Sequence, residues 1–271
     1  MKKDNESISK EFLELASEQR VDILLKLYEG NSKVAILAKE FGATVPEVFR
    51  NFDRMVKANL ITKNPDGDYS ITTYGKIVCE HIPSIRFMTS NKKYFQDHSF
   101  GDIPSKFLQR IGALEDGKQI KGFVKLMEYW KEIYKNADKY ILNVLYEVPF
   151  NMELVEPLVK KLQSGVKLSS ILSESAIMSK DRKDVHHKLG LKKLIEQGLI
   201  ERKMLPNVSV VVILNEKQAC VIFPNKNGEV DLSDGFYGET PKFQEWCHDY
   251  FDYCWSSKAS PFQESKLKNG D

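Results

Sequence analysis

SKVAILAKEFGATVPEVFRNFDRMVKANLITKNPDGDYSITT, residues 32–73, divides into two helical segments, a tight turn between them, and a hairpin. In 33–40, Val34, Leu37, Ala38 and Phe41 recur at helical spacing and are expected to face inward. Gly42 and Ala43 make the turn. The next helix opens on Thr44-Val-Pro-Glu47, the pattern of a capping box in which the threonine accepts at the helix start and the glutamate reaches back. Pro46 falls in the first turn, where its missing N–H costs nothing. Val45, Val48, Phe49, Phe52 and Val56 form the expected buried stripe, and Glu47, Arg50, Asn51, Arg54 and Lys57 fall on the opposite, wet face. Residues 60–63 and 68–72 read as short strands, with Asn64-Pro-Asp-Gly67 as a strong turn signal between them.

Helix, turn, helix and hairpin in that order are the pattern of a winged helix-turn-helix, whose second helix lies in the major groove of DNA. Arg50 and Arg54 lie one turn apart. Arginine can bind guanine bidentately and asparagine can do the same for adenine, so Arg50, Asn51 and Arg54 are the expected base readers. Lys33, Lys57 and Lys63 are expected at phosphates, with Thr44 and Glu47 at the helix start completing the interface. Residues 33–63 hold 6 basic and 3 acidic side chains, whereas residues 1–85 hold 12 and 13, so the positive charge is local to this segment. Two other readings stand beside this one. Arg50 pairing with Glu47 would make the face merely solvated, and the acidic wing tip (Asp66, Asp68) suits a protein–protein adaptor better than a phosphate contact.

Working outward, a helix is expected after Ser17, capped by its side chain, with Val21, Leu24, Leu25 and Tyr28 on one face and Gly30 as its stop. Beyond the hairpin, 74–88 reads as a trailing helix with Ile77, Val78, Ile82 and Ile85 on one face, interrupted by Pro83. Such a helix can pack on its copy in a homodimer, and a two-fold dimer reads two half-sites. Residues 1–88 therefore form the expected DNA-binding domain. Residues 89–102 are polar and read as a linker, 103–260 as a second, α/β domain, and 261–271 as a flexible tail.

Helices are predicted over 123–137, 152–163, 184–197 and 241–257. Strands are predicted over 139–148, 166–172, 199–203, 208–214, 219–224 and 230–232. Strands separated by helices imply a partly parallel sheet, and the later strands, joined by short turns, imply an antiparallel extension. The fold class is therefore α+β. An α/β sheet tends to bind ligands at strand carboxyl ends, which makes Tyr146, Glu147, Ser173 and Glu174 the candidate contacts for a small-molecule effector.

The 271 residues are 42% hydrophobic and 29% charged, an ordinary globular balance with room for two cores. No apolar run reaches the length of a membrane span. The polar N-terminus has no signal-peptide pattern, so a cytoplasmic location is expected. Cys79, Cys220, Cys247 and Cys254 lack metal-ligand spacing and are expected to act as small buried side chains, and no metal or cofactor is expected. The sequence holds no GxSxG, P-loop, GxGxxG or HExxH pattern. His186-His187-Lys188 contains an HxK triplet, but the HxKxxxxD pattern of phospholipase D-type phosphotransfer would need an aspartate where Lys193 stands. Catalytic residues are therefore not expected, with an unrecognised hydrolase as the remaining enzyme reading.

Four stretches together resemble a known family: residues 17–24, SEQRVDIL; residues 102–108, DIPSKFL; Gly235-Phe-Tyr-Gly238; and the aromatic run Phe243, Trp246, Tyr250, Phe251 and Trp255. In this order they are similar to archaeal regulators that join an ArsR/TrmB-like winged helix to a methanogenesis regulatory protein-type middle domain. The resemblance implies a transcription regulator that binds double-stranded DNA as a homodimer, whose second domain resembles a phospholipase D fold without its catalytic residues and senses a small effector or mediates dimerisation.

Overall fold

The computed structural model describes residues 5–147, 152–178 and 190–269 and divides into two compact units, Met1–Pro83 and Ser84–Asp271. The first contains helices α1 (Asn5–Leu15), α2 (Glu18–Glu29), α3 (Val34–Glu40) and α4 (Val45–Lys57). They are followed by the antiparallel hairpin β1 (Ile61–Lys63) and β2 (Tyr69–Ile71), then by helix α5 (Thr73–Ser90). A bridge from Ser32 to Tyr69 adds a short third rung to the hairpin. The core of this unit is built from Ile23, Leu24 and Leu27 of α2, Leu37 and Ala38 of α3, Val48, Phe52 and Met55 of α4, and Leu60, Ile61 and Tyr69 around the hairpin.

Several expectations for this unit need correction. The inward face of α2 is Ile23, Leu24 and Leu27, and Tyr28 is exposed. Ser17 occupies the N-cap position with extended backbone, yet its side chain makes no capping bond. In α5, Cys79 and Ile82 are buried, while Ile77 and Ile85 lie outside. Both amphipathic phases were open in the sequence, and packing selected one.

The second unit is built on an eight-stranded mixed sheet. Its strands are β3 (Lys118–Lys121), β4 (Tyr140–Leu145), β5 (Lys167–Ser173), β7 (Ile200–Leu205), β8 (Val211–Asn215), β9 (Ala219–Ile222), β10 (Asp234–Gly238) and β11 (Ser260–Pro261). They lie in the order β11-β7-β5-β4-β8-β9-β10-β3. The β4–β5 and β5–β7 pairs are parallel, and the others are antiparallel. A separate pair joins β6 (Ile177–Met178) to β12 (Lys268–Asn269).

Helices α6 (Tyr94–Asp97) and α7 (Ser105–Gln109) precede the sheet. Helices α8 (Phe123–Asn136), α9 (Met152–Gln163), α10 (Leu191–Glu196) and α11 (Pro241–Ser257) cover it. Two β10 positions an odd number of residues apart show how the layers divide. A Cβ at Gly235 would meet Leu126 of α8, and one at Gly238 would lie 2.4 Å from the ring of Phe243 in α11. Positions 235 and 238 point to opposite faces of a strand, so α8 and α11 lie on opposite sides of the sheet.

Three corrections apply here too. Residues 89–102 are no free linker: Tyr94 is buried, stacks on His98 at 3.9 Å, and its hydroxyl accepts from the Phe223 N–H. Tyr94, Phe95 and Phe100 are apolar enough to join the core. Residues 261–269 are no loose tail, because Ser260 and Pro261 pair with Met204 and Lys203 of β7 and the chain returns to pair with β6. The strand expected over 230–232 is only an isolated bridge at Val230, and the strand itself forms at β10. The predicted helix over 184–197 is present as α10, and its first part lies outside the described residues, as do His186, His187 and Lys188.

Candidate nucleic-acid interface

Helix α4 starts where Thr44 holds extended backbone (φ −79°, ψ 146°) and Pro46 sits in the first turn. It ends at Ala58, after which Asn59 turns the chain at φ 58°, a left-handed conformation that asparagine tolerates better than most residues. The hairpin is fixed against the helix by Phe52, whose ring meets Tyr69 of β2 edge-on at 4.7 Å. The expected capping box does not form. Thr44 makes no side-chain capping bond, and Glu47 accepts instead from the Gln19 amide at 3.4 Å.

The buried strip of α4 is Val48, Phe52 and Met55. Val45, Phe49 and Val56, expected inside, are 49%, 50% and 37% exposed. Two stripes share Phe52, and the narrow three-helix base covers only the one that includes Val48 and Met55. At about 100° per residue, Arg50 and Lys57 stand farthest from that buried strip, with Val45 and Phe49 on one flank and Asn51 and Arg54 on the other.

The second flank is occupied. Arg54 holds Glu14 bidentately, Nε to Oε2 at 2.5 Å and Nη2 to Oε1 at 3.0 Å. This bond, with the attraction of the same carboxylate, raises the Arg54 pKa. Asn51 donates to the Gln19 side-chain oxygen and accepts from Arg20 Nη1 at 3.5 Å. Arg20 is itself buried. Its Nε donates to the Glu14 carbonyl at 2.6 Å and its Nη2 to the Leu13 carbonyl at 2.9 Å, so it closes the last turn of α1. Burial lowers its pKa, the Arg54 charge adds to that, and Glu14 opposes both.

Of the expected base readers, Arg50 is therefore exposed with no hydrogen-bond or ion-pair partner among the described residues, whereas Asn51 and Arg54 are held by α1 and α2. Lys33 and Lys63 are exposed, and Lys57 is exposed and paired with Asp53 at 2.6 Å. Thr44 and Glu47 are exposed at the helix start. Sequence reasoning missed Glu14, Gln19 and Arg20. Nothing local marks them, because their partners in α4 are 28 to 40 residues away along the chain.

In the second unit, the parallel pairing of β4 with β5 sets Leu145 opposite Leu172, which brings the four candidate effector residues to the carboxyl ends of two neighbouring central strands. They are not equally available there. Ser173 is fully buried and its hydroxyl lies 2.6 Å from that of Ser175, and Glu174 is paired with Lys266 at 2.6 Å. Tyr146 is exposed and Glu147 half-buried. Two hollows of this unit lie elsewhere among the described residues. One of about 540 Å³ is lined by Lys131, Lys135, Lys160 and Lys161 with Glu153 and Glu156, and one of about 300 Å³ by Lys106, Arg110 and Tyr253 with Asp249 and Asp252.

All four cysteines are free and buried, and burial pushes the Cys220 thiol up to about 12. Among the described residues no cluster of His, Cys, Asp and Glu could hold a metal, and no helix is long and apolar enough to cross a membrane.

No family model and no curated protein matches this chain. Among solved structures it is similar to TrmBL2, described as an archaeal chromatin protein with a novel mode of DNA binding. The identity is 13%, 90% of this chain and 92% of that one are covered, and the TM-score is 0.42. It is also similar to Nuc of Salmonella typhimurium, a phospholipase D family member (14% identity, 51% and 91% covered, TM-score 0.33). A third likeness is to phosphatidylserine synthase of Haemophilus influenzae Rd KW20 (9% identity, 56% and 41% covered, TM-score 0.40). TM-scores this low carry no function from any of the three to this chain.

Proposed function

We propose that the protein is a sequence-specific DNA-binding transcriptional regulator whose first unit is a winged helix and whose second unit senses a small effector or mediates dimerisation. The observation that carries this reading is the outer face of α4, where Arg50, at the crest of a helix braced by a hairpin, is unpaired among the described residues. A guanidinium so placed can offer two parallel donors to guanine O6 and N7. The exposed Lys33, Lys57 and Lys63 suit phosphate contacts around it. Asn51 and Arg54 take a supporting role, holding α4 to α1 and α2.

The second unit is read as a non-catalytic relative of the phospholipase D fold, which is supported by Lys193 standing where the HxKxxxxD pattern needs its aspartate. An effector bound there would act by favouring one arrangement of two reading heads over another. The test is a gel shift on the gene's own upstream region at several salt concentrations. Specific binding that weakens steeply with salt and is lost in Arg50→Ala supports the reading. A rival reading, a winged-helix adaptor for protein partners, is favoured by the exposed Val45 and Phe49, and it requires that no duplex bind with sequence preference.

A further inference from the structure

We infer that the specific site of this protein places thymine beside guanine, read by Val45 and Phe49 through the thymine methyl groups while Arg50 reads the guanine. The inference rests on the DNA-binding reading above and names the bases that reading leaves open.

Single exposed apolar side chains are ordinary. This pair differs in three respects. Val45 and Phe49 are one turn apart on the same flank of α4, so they form a short continuous strip of which about half is open to solvent. The strip occupies the first two turns, and the N-terminal residues of a recognition helix are those that approach base edges. It also adjoins the one arginine of the helix left unpaired among the described residues, the neighbouring Arg54 being bound to Glu14.

Charge selects the occupant. The segment 33–63 carries 6 basic and 3 acidic residues, and Lys33, Lys57 and Lys63 are exposed. An apolar strip within a segment of net positive charge fits the major groove, where phosphates flank the base edges and thymine presents a methyl group.

The experiment uses the full chain. Selection from a random duplex library yields the preferred sequence. Each thymine in it is then replaced by deoxyuridine, which removes only the C5 methyl, and wild type, Val45→Ala, Phe49→Ala and Arg50→Ala are titrated on each duplex. At one or two thymines adjacent to a guanine, deoxyuridine is expected to weaken wild type about three- to fivefold, the loss of one buried methyl. The same replacement should leave Phe49→Ala or Val45→Ala unchanged, and Arg50→Ala should lose its preference for the guanine.

A selected site in which no deoxyuridine weakens wild type overturns the inference, and that result needs no variant to fold. An equal loss in wild type and in both apolar variants overturns it as well, and would leave the strip to a protein partner. If no duplex is selected, the DNA-binding reading falls first and this one with it.

Discussion

Arg50 and Arg54 are the same residue type one turn apart, and their surroundings separate their roles. Among the described residues Arg50 has no bond to give up, so Arg50→Ala is expected to weaken specific binding by about 1–3 kcal/mol in a titration by fluorescence anisotropy. Arg54 must leave a bidentate carboxylate before it can meet a base, so Arg54→Ala is expected to cost less affinity and instead to loosen α1, which increased amide exchange over residues 9–15 would report. In the second unit, Glu216 accepts from the backbone N–H groups of Asp138 (2.7 Å), Lys139 (3.3 Å) and Tyr140 (3.5 Å) at the start of β4. Burial alone would raise its carboxyl pKa, but the N–H donors outweigh burial and hold it below the usual range. A depressed folded value contributes stability above the unfolded value and loses it as pH falls through the folded one. Urea unfolding is therefore expected to show the second unit weakening below the ordinary glutamate value of ~4.3, with a shallower pH dependence in Glu216→Gln.

At the scale of elements, the helices and the hairpin of the first unit were legible because caps, turn residues and apolar spacing agree with one another. The helix faces were less so. In α4 the stripe through Val45 and Phe49 and the stripe through Val48 and Met55 share Phe52, and periodicity alone does not choose between them. The junction of hairpin and α5 shows how tightly the chosen packing is drawn. Thr72 Oγ1 donates to the Asn59 carbonyl at 2.7 Å and accepts from the Gly75 N–H at 2.9 Å. A Cβ at Gly75 would lie 2.1 Å from the Leu60 carbonyl oxygen, a backbone atom that also accepts from Thr72 N–H and cannot retreat cheaply. Gly75→Ala is expected to destabilise the first unit by about 1–3 kcal/mol, read as a lower urea midpoint, with the second unit's transition unchanged.

At the scale of the molecule, phosphate contacts predict a salt law. Lys63→Ala should weaken binding to all duplexes similarly and lower the slope of log affinity against log salt by about 1. The C-terminal stretch carries a stability prediction. Besides pairing with β7, it sets Phe262 under the Arg202 guanidinium at 3.9 Å and Lys266 on Glu174. Removing residues 260–271 uncovers Met204 and is expected to lower the melting temperature of the second unit, by about 2–4 °C for every kcal/mol lost in a unit of this size. The same stretch looks dispensable in the sequence, being polar and short of apolar periodicity, because the value of an edge strand lies in its neighbour. By itself the sequence determined which segments are helices and strands, that two cores exist, and that the positive charge gathers around one helix, since all three depend on neighbours a few residues apart. Tertiary structure decided which arginine is free, which side of α4 is dry and where the linker and tail belong, because those depend on partners such as Glu14, Phe223 and Met204, distant in the chain and close only after folding.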